Sequence, residues 1–101
     1  MLTPEGHEKK EIKKYLDSIG AWYFCPYMAG MGKSGVPDII ACIVGHFVGI
    51  EVKREGKRPT KLQMRRIAEI QQARGSAFAG TAADVIDSLQ NVIENAKRGW
   101  K

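Results

Sequence analysis

The 101-residue sequence contains no hydrophobic run near the ~18 to 20 residues that a membrane-spanning helix requires. Its first residues, MLTPEGHEKKEIKK, are too polar for a secretory signal. We therefore expect a cytoplasmic protein with no membrane partner. Hydrophobic residues make up 44% and charged residues 27% of the chain, which favours one globular domain over residues 1–101 and excludes a disordered chain.

Cysteine is scarce as well. Cys25 and Cys42 are the two cysteines, both lie in apolar stretches, and no C-x-x-C spacing is present. This pattern predicts buried free thiols in a reducing compartment, and it argues against both a disulfide and a zinc site.

Acidic residues are fewer than basic ones: the chain has 11 Asp and Glu and 16 Lys and Arg, which gives a net charge of +5. An excess of this sign suits a phosphate-binding surface, although many basic proteins never bind nucleic acid. The distribution is more informative than the total. One run near the N-terminus holds Lys9, Lys10, Lys13 and Lys14, and a denser one holds Arg54, Lys57, Arg58, Lys61, Arg65 and Arg66.

Apolar periodicity and turn residues predict the element order α-β-β-β-α-β-α, an α/β fold with one central mixed β-sheet flanked by helices. The first helix is predicted over 4–19, with Ile12, Leu16 and Ile19 on its inner stripe. A second helix is predicted over 61–74, with Met64, Ile67 and either Ile70 or Gln71 facing inward, and Thr81 is expected to cap a third. Strands are predicted over 21–27, 38–44, 47–53 and 76–80, and the aromatic residues at 22–24 are assigned to the core.

Residues 28–36, MAGMGKSGV, form a glycine-rich loop. A strand, rather than the helix that a P-loop needs, follows it, so nucleotide binding is excluded. Lys33 is left available for a phosphate.

Three charged side chains are expected to meet at one end of the hairpin formed by 38–44 and 47–53, which Gly45-His46 is expected to join. Glu51 and Lys53 share a face because side chains alternate along a strand. A loop of even length places Asp38 opposite one of them, whereas an odd loop scatters the three. Two adjacent carboxylates repel each other unless a cation lies between them, and hard oxygen ligands suit Mg²⁺.

This arrangement predicts metal-dependent hydrolysis of a phosphodiester, with Lys53 orienting or deprotonating the attacking water. The alternative is a charged strand end in which Glu51 and Lys53 are merely exposed. The basic run that follows favours the first interpretation.

The pair Pro37-Asp38 followed by Glu51-Val52-Lys53 resembles the PD-(D/E)XK nuclease signature. The fuller pattern resembles the VRR-NUC branch of those nucleases, and the similarity runs from about Glu8 to Leu89. It comprises Gly35-Val36-Pro37-Asp38, Ile50-Glu51-Val52-Lys53-Arg54, Pro59-Thr60-x-x-Gln63 and Ala73-Arg74-Gly75.

The resemblance implies a restriction-endonuclease-like fold and a Mg²⁺-dependent endodeoxyribonuclease in which Mn²⁺ substitutes. It implies that Asp38 and Glu51 ligate the metal, with the backbone carbonyl of Val52 as a further ligand. Lys53 would be the catalytic lysine and Gln63 a residue near the site, although a capping box explains Gln63 equally well. An acidic residue from the first helix is also implied, for which Glu8 is the candidate and Glu5 and Glu11 are rivals.

Similar stand-alone domains from phage and bacteria imply a homodimer that acts on branched DNA, including four-way (Holliday) junctions. The expected DNA contacts are Lys33, Arg54, Lys57, Arg58, Lys61 and Arg65. Because so small a domain leaves little surface to read base edges, we expect selection by DNA shape. The alternatives are a duplex nickase or restriction-type nuclease, a non-catalytic DNA-binding module, and a protein-interaction domain.

Overall fold

A computed structural model describes residues 2–27 and 32–99, so that part of the glycine-rich loop, 28–31, lies outside the described residues. The order of elements is the predicted one. The elements are α1 (Pro4–Ser18), β1 (Trp22–Phe24), β2 (Ile39–Ile43), β3 (His46–Val52), α2 (Lys61–Gln72), β4 (Ser76–Gly80) and α3 (Ala82–Lys97). The strands form one mixed sheet in the order β1-β2-β3-β4, antiparallel except for the parallel pair β3–β4.

A threonine hydroxyl caps the N-terminus of each described helix. Thr3 accepts a hydrogen bond from the backbone N–H of Gly6, and Thr81 accepts one from Asp84. Thr60 accepts from the N–H of Gln63 at 3.2 Å and forms a full capping box with that residue. Side-chain oxygens at these positions satisfy backbone donors that the first helical turn leaves free, which is why the predicted helix starts are accurate.

The β2–β3 hairpin turns at Val44-Gly45, one residue before the predicted Gly45-His46. Both turn residues have positive φ, 51° and 79°, as the two-residue hairpin turn that matches strand twist requires. The even loop length sets Ile43 opposite His46 and Ile39 opposite Ile50. The condition on which the predicted convergence of Asp38 and Glu51 depended is therefore met.

One face of the sheet is buried beneath α1 and α3. Side chains that alternate along β2 and β3 point into this layer and meet the apolar stripes of the two helices. The fully buried members include Ile12, Leu16, Ile39, Val48, Ile50, Val85 and Leu89. This layer is the hydrophobic core, and the predicted inner stripe of the first helix is confirmed.

The opposite face is covered by α2 above β3 and β4. The helix approaches closely at Gly49, where an added Cβ would lie 2.9 Å from Cγ of Pro37 and 3.0 Å from Cδ1 of Ile70. No residue of α2 is fully buried, and Met64 is 56% exposed, so its predicted inward position is wrong. Helix α2 therefore rests on β3 and β4 without forming a second hydrophobic core.

Two further burial predictions are wrong. Cys42 is an exposed free thiol and Cys25 is only half-buried. Trp22 and Phe24 lie largely in solvent, whereas Tyr23 between them packs against the core. The reason is the alternation of β1, which directs Trp22 and Phe24 to the face that α1 and α3 do not cover. None of the helices within 2–27 and 32–99 is long and apolar enough to cross a bilayer.

We expect Gly49→Ala to destabilise the protein by about 1 to 3 kcal/mol, because a methyl group there pushes α2 away from the sheet. Urea unfolding of both variants measures the change. Gln72→Ala, at the exposed end of α2, is the control and should stay within about 0.5 kcal/mol of the parent. Equal stability of Gly49→Ala and the parent protein would contradict the close approach.

Candidate active site

Asp38 and Glu51 meet across the β2–β3 pair. The register that sets Ile39 opposite Ile50 makes Asp38 and Glu51 the next opposed positions, on the face that carries α2. The Asp38 carboxylate is held in place because its Oδ2 accepts a hydrogen bond from the backbone N–H of Val52 at 2.9 Å. Strand pairing therefore positions both acids.

Glu51 is buried in an unusual manner for a carboxylate. It is only 2% exposed. The other buried side chains of the described core are hydrophobic, so Glu51 is the charged residue among them. Its Oε2 accepts a hydrogen bond from Nε2 of Gln63 at 3.0 Å and lies 3.6 Å from Nζ of Lys53. Its Oε1 is buried and has no hydrogen-bond partner within the described residues. A buried carboxylate oxygen without a partner is costly, which marks this position as a site rather than a structural contact.

The pKa of Glu51 is raised from 4.5 to about 8, mainly by burial and in addition by the charge and hydrogen bonding of the nearby Asp38 carboxyl. Lys53 opposes the shift without cancelling it. A raised pKa is the behaviour of two carboxyl groups that share one small space. A cation placed between them would offset the same repulsion.

Lys53 and Gln63 reach the acids from two sides. The Lys53 side chain is 13% exposed, so its ammonium group is largely withdrawn from solvent beside Glu51. Gln63 extends from the first turn of α2, where its Oε1 accepts from the N–H of Thr60 at 2.9 Å while its amide donates to Glu51. The two interpretations of Gln63 therefore describe the same side chain: the capping box orients the amide that touches the site.

Glu8 lies on α1, and its carboxylate binds the N-terminus of α3 rather than Asp38 or Glu51. Its Oε1 accepts a hydrogen bond from the backbone N–H of Ala82 at 2.7 Å, at the positive end of α3. Ala82 follows Gly80 closely, and the carbonyl of Gly80 accepts from the N–H of Lys53. Glu8 is thus held at the end of the sheet where Lys53 lies, and its catalytic role stays a prediction, as do those of Glu5 and Glu11.

Five of the six predicted DNA contacts belong to the segments next to Lys53 and Gln63, whereas Lys33 lies beside Phe47 at the other end of β3. Arg54, Lys57 and Arg58 are exposed in the connection that leaves β3, and Lys61 and Arg65 are exposed on α2. Lys33 is 63% exposed and lies 3.7 Å from Glu69. These cations are accessible to a phosphate backbone.

Arg66, which the basic run also contains, has a different role. Its Nε donates to the carbonyl of Ser34 at 2.8 Å, and its Nη1 pairs with Glu69 at 2.9 Å. This guanidinium ties the segment before Asp38 to α2. Sequence reasoning missed the contact because Ser34 and Arg66 are far apart in the chain and neither belongs to a recognisable motif.

The donor set suits a hard divalent cation with an incomplete protein shell. Within residues 2–27 and 32–99 no cluster of three or more His, Cys, Asp and Glu side chains is close enough to hold a metal. Asp38 and Glu51 supply two carboxylates, one of them with an unpartnered oxygen. Mg²⁺ commonly binds through one or two carboxylates and keeps its other positions for water and phosphate oxygens, so the residues fit such an ion.

The architecture is α/β, with helices on both faces of a mixed sheet in which Asp38 and Glu51 meet across β2 and β3. A solved structure described as a VRR_NUC domain superimposes on this chain with a TM-score of 0.74 at 24% sequence identity, over 88% of this chain and 96% of that one. No family model and no curated protein matches the sequence. The chain therefore has the fold of a VRR-NUC domain, as the resemblance implied.

We expect Glu51→Gln to stabilise the metal-free protein by about 1 to 2 kcal/mol at pH 8. Glu51 ionises near pH 4.5 when unfolded and near 8 when folded, so the folded state holds the additional proton between these values. Stability must then fall as the pH rises through this window, and the glutamine variant must lose that part of the decline. Urea unfolding in EDTA from pH 4 to 9 measures both curves.

The matched control is Glu55→Gln, which changes an exposed carboxylate in the connection after β3. It should leave the pH dependence of the parent protein unchanged. Parallel curves for Glu51→Gln and the parent would show that Glu51 ionises normally in the folded state.

Proposed function

We propose that this protein is a divalent-metal-dependent endodeoxyribonuclease of the VRR-NUC type. The observation that carries the proposal is the buried, unpartnered Oε1 of Glu51 opposite Asp38, within a fold shared with a VRR_NUC domain. Such a pair is unfavourable in a binding module, which gains nothing from it. It is what a site needs if it is to hold a cation against a phosphodiester.

Asp38 and Glu51 would hold Mg²⁺, with the carbonyl of Val52 as a further ligand and Mn²⁺ as a substitute. When bound, such an ion polarises the phosphodiester and makes water more acidic. Asp38 is kept in a fixed orientation by the N–H of Val52, and Gln63 restrains one oxygen of Glu51. The other oxygen of Glu51 has no hydrogen-bond partner within the described residues and would be free to bind the ion.

Lys53 is proposed as the catalytic lysine. The Lys53 side chain is partly withdrawn from solvent and close to Glu51. As an ammonium group it would orient the attacking water and offset negative charge on the phosphoryl oxygens, and as the neutral amine it would deprotonate that water. Glu8 is proposed as an acidic contributor from α1, held near this end of the sheet by the N-terminus of α3.

The substrate is proposed to be DNA, bound through its phosphates by the exposed cations of the predicted DNA contacts and selected by shape. Contacts to phosphates position a duplex without reading its sequence. Branched DNA, including the four-way junction, is the proposed target within the cytoplasm, since the resemblance implies it. Nicking or restriction-type cutting of plain duplex is the second candidate.

We expect the purified protein to cut labelled DNA in Mg²⁺ or Mn²⁺ and not in EDTA, and to cut four-way junctions faster than flaps or linear duplex. Asp38→Asn, Glu51→Gln and Lys53→Ala should each lower the rate by at least about 100-fold, because the first two remove a carboxylate that would hold the metal and the third removes the ammonium group beside it. Gel analysis of the end-labelled products measures rate and position.

Asp87→Asn and Lys97→Ala are the controls, because both residues are exposed on α3. They should retain the parent rate. Faster cutting of linear duplex than of junctions would favour the nickase, and one strict recognition sequence would contradict selection by shape. Tight, salt-sensitive DNA binding with no cutting in any metal would identify a non-catalytic binding module.

We also propose a homodimer, as the resemblance implies, because two-fold related sites suit the paired strands of a junction. Sedimentation equilibrium should then give twice the chain mass of 11.2 kDa at micromolar concentration. Symmetric paired nicks in a junction should accompany that mass. A monomeric mass together with single, unpaired nicks would contradict this part of the proposal.

A further inference from the structure

An exposed aromatic surface lies on the same face of the sheet as Asp38 and Glu51. We call it the stacking face, and it consists of Trp22, Phe24, Ile40, Cys42 and Phe47. Strand register places these side chains together, because Phe24 opposes Ile40, and Cys42 opposes both Trp22 and Phe47. Trp22 is 68%, Phe24 46% and Phe47 47% exposed.

The stacking face adjoins the candidate active site along β2. Ile40 follows Asp38 by two residues on the same side of β2, and Cys42 follows by four. At about 3.4 Å per residue these rows lie roughly 7 and 14 Å from Asp38 along the strand. A stacked DNA strand also advances about 3.4 Å per nucleotide, so the rows correspond to roughly two and four nucleotides.

Within the described residues, helix α2 reaches only the Ile40 and Phe47 side of this area, where Ile70 and Ala73 line the same cavity. Helix α2 packs over β3 and β4, whereas β1 is the edge strand and β2 its neighbour. The rings of Trp22 and Phe24 have centroids 5.7 Å apart and planes tilted by 60°, which leaves ring surface free for a further flat group. Large exposed aromatic residues grouped on one face indicate a binding surface rather than incidental exposure.

Cationic side chains lie at one margin of the stacking face and on the far side of the sheet beyond its β1 edge. At the margin, Lys33 and Arg66 line a cavity of about 370 Å³ together with Ile40 and Phe47, and both cations also pair with Glu69. Around the β1 edge, Tyr23 points to the opposite side of the sheet and lines a groove of about 530 Å³ with Lys9, Lys10, Lys13 and Lys14. No salt bridge joins any of these four lysines to a carboxylate within the described residues.

We propose that the stacking face binds unpaired nucleobases of the DNA substrate about two to four nucleotides from the phosphate that lies at Asp38 and Glu51. Aromatic side chains beside a cationic groove are the combination that holds single-stranded DNA: the rings stack on bases and the cations follow the backbone. The inference rests on the proposed function and narrows it to DNA that is unpaired next to the cut.

A second copy of this chain is the competing occupant of the same face. Two sheets that pack face to face lie about 10 Å apart, so a partner there would also stand above Asp38 and Glu51. The four lysines beyond the β1 edge have no salt bridge within the described residues, so a polyanion complements them whereas a second copy would present the same positive charge.

The test is a binding titration in EDTA, which separates it from any cutting. The probes are a blunt duplex and the same duplex with a four-nucleotide single-stranded extension of either polarity, carrying 2-aminopurine in the extension. The parent protein should bind the extended duplex more tightly and quench the 2-aminopurine. Trp22→Ala and Phe24→Ala should each weaken binding of the extended duplex at least about fivefold and abolish the quenching, with blunt-duplex binding unchanged.

Trp22→Phe keeps a ring and should bind close to the parent level, whereas Val44→Ala removes exposed apolar surface outside the stacking face and should change nothing. Unchanged binding and quenching in both alanine variants would overturn the proposal, and so would an equal loss on blunt duplex. A fall in sedimentation mass in Trp22→Ala would assign the face to a second copy instead. Quenching by a protein that cuts nothing in Mg²⁺ would support the stacking face while refuting the nuclease.

Discussion

The geometry of the candidate active site follows from one constraint: the carboxyl group of Glu51 is confined beside that of Asp38. The two-residue turn at Val44-Gly45 sets the register, and the register sets the two acids opposite each other. Burial then keeps the pKa of Glu51 near 8 and leaves one of its oxygens without a partner. The unfavourable electrostatics of this pair is offset by the surrounding core, which is the usual relation between a stable scaffold and a strained functional site.

The two faces of the sheet have different roles, and the period of the strands separates them. Alternate residues of β2 and β3 build the core with α1 and α3, and the residues between them build the candidate active site and the stacking face. Helix α2 buries none of its own side chains completely, and its main contribution is to position other residues. Its capping box orients Gln63 toward Glu51, and its Arg66 binds the segment before Asp38.

Features that depend on neighbours in the chain were predictable. Helix starts follow from Thr60 and Thr81, the α1 stripe from the spacing of Ile12 and Leu16, and the shared face of Asp38 and Glu51 from an even hairpin loop. The errors at Trp22, Phe24, Cys42 and Met64 have one cause. Each is an apolar residue assigned to the core by its type, on a face that no element covers completely. Apolar character indicates that a residue can be buried, not that a layer lies above it.

The amino-acid sequence by itself determined the order of the elements, the shared face of Glu51 and Lys53 and the identity of the residues that meet at the end of the hairpin, because these follow from local geometry and alternation. It left the register of the hairpin open between an even and an odd loop, and the structure has the even one. Only the tertiary structure decided that Glu51 is buried and lacks a partner for one oxygen, that Gln63 reaches it, that Glu8 binds the start of α3, and that one aromatic face stays open. Those properties depend on which elements pack against which face of the sheet. Distant segments decide that packing together, and no single stretch of sequence contains it.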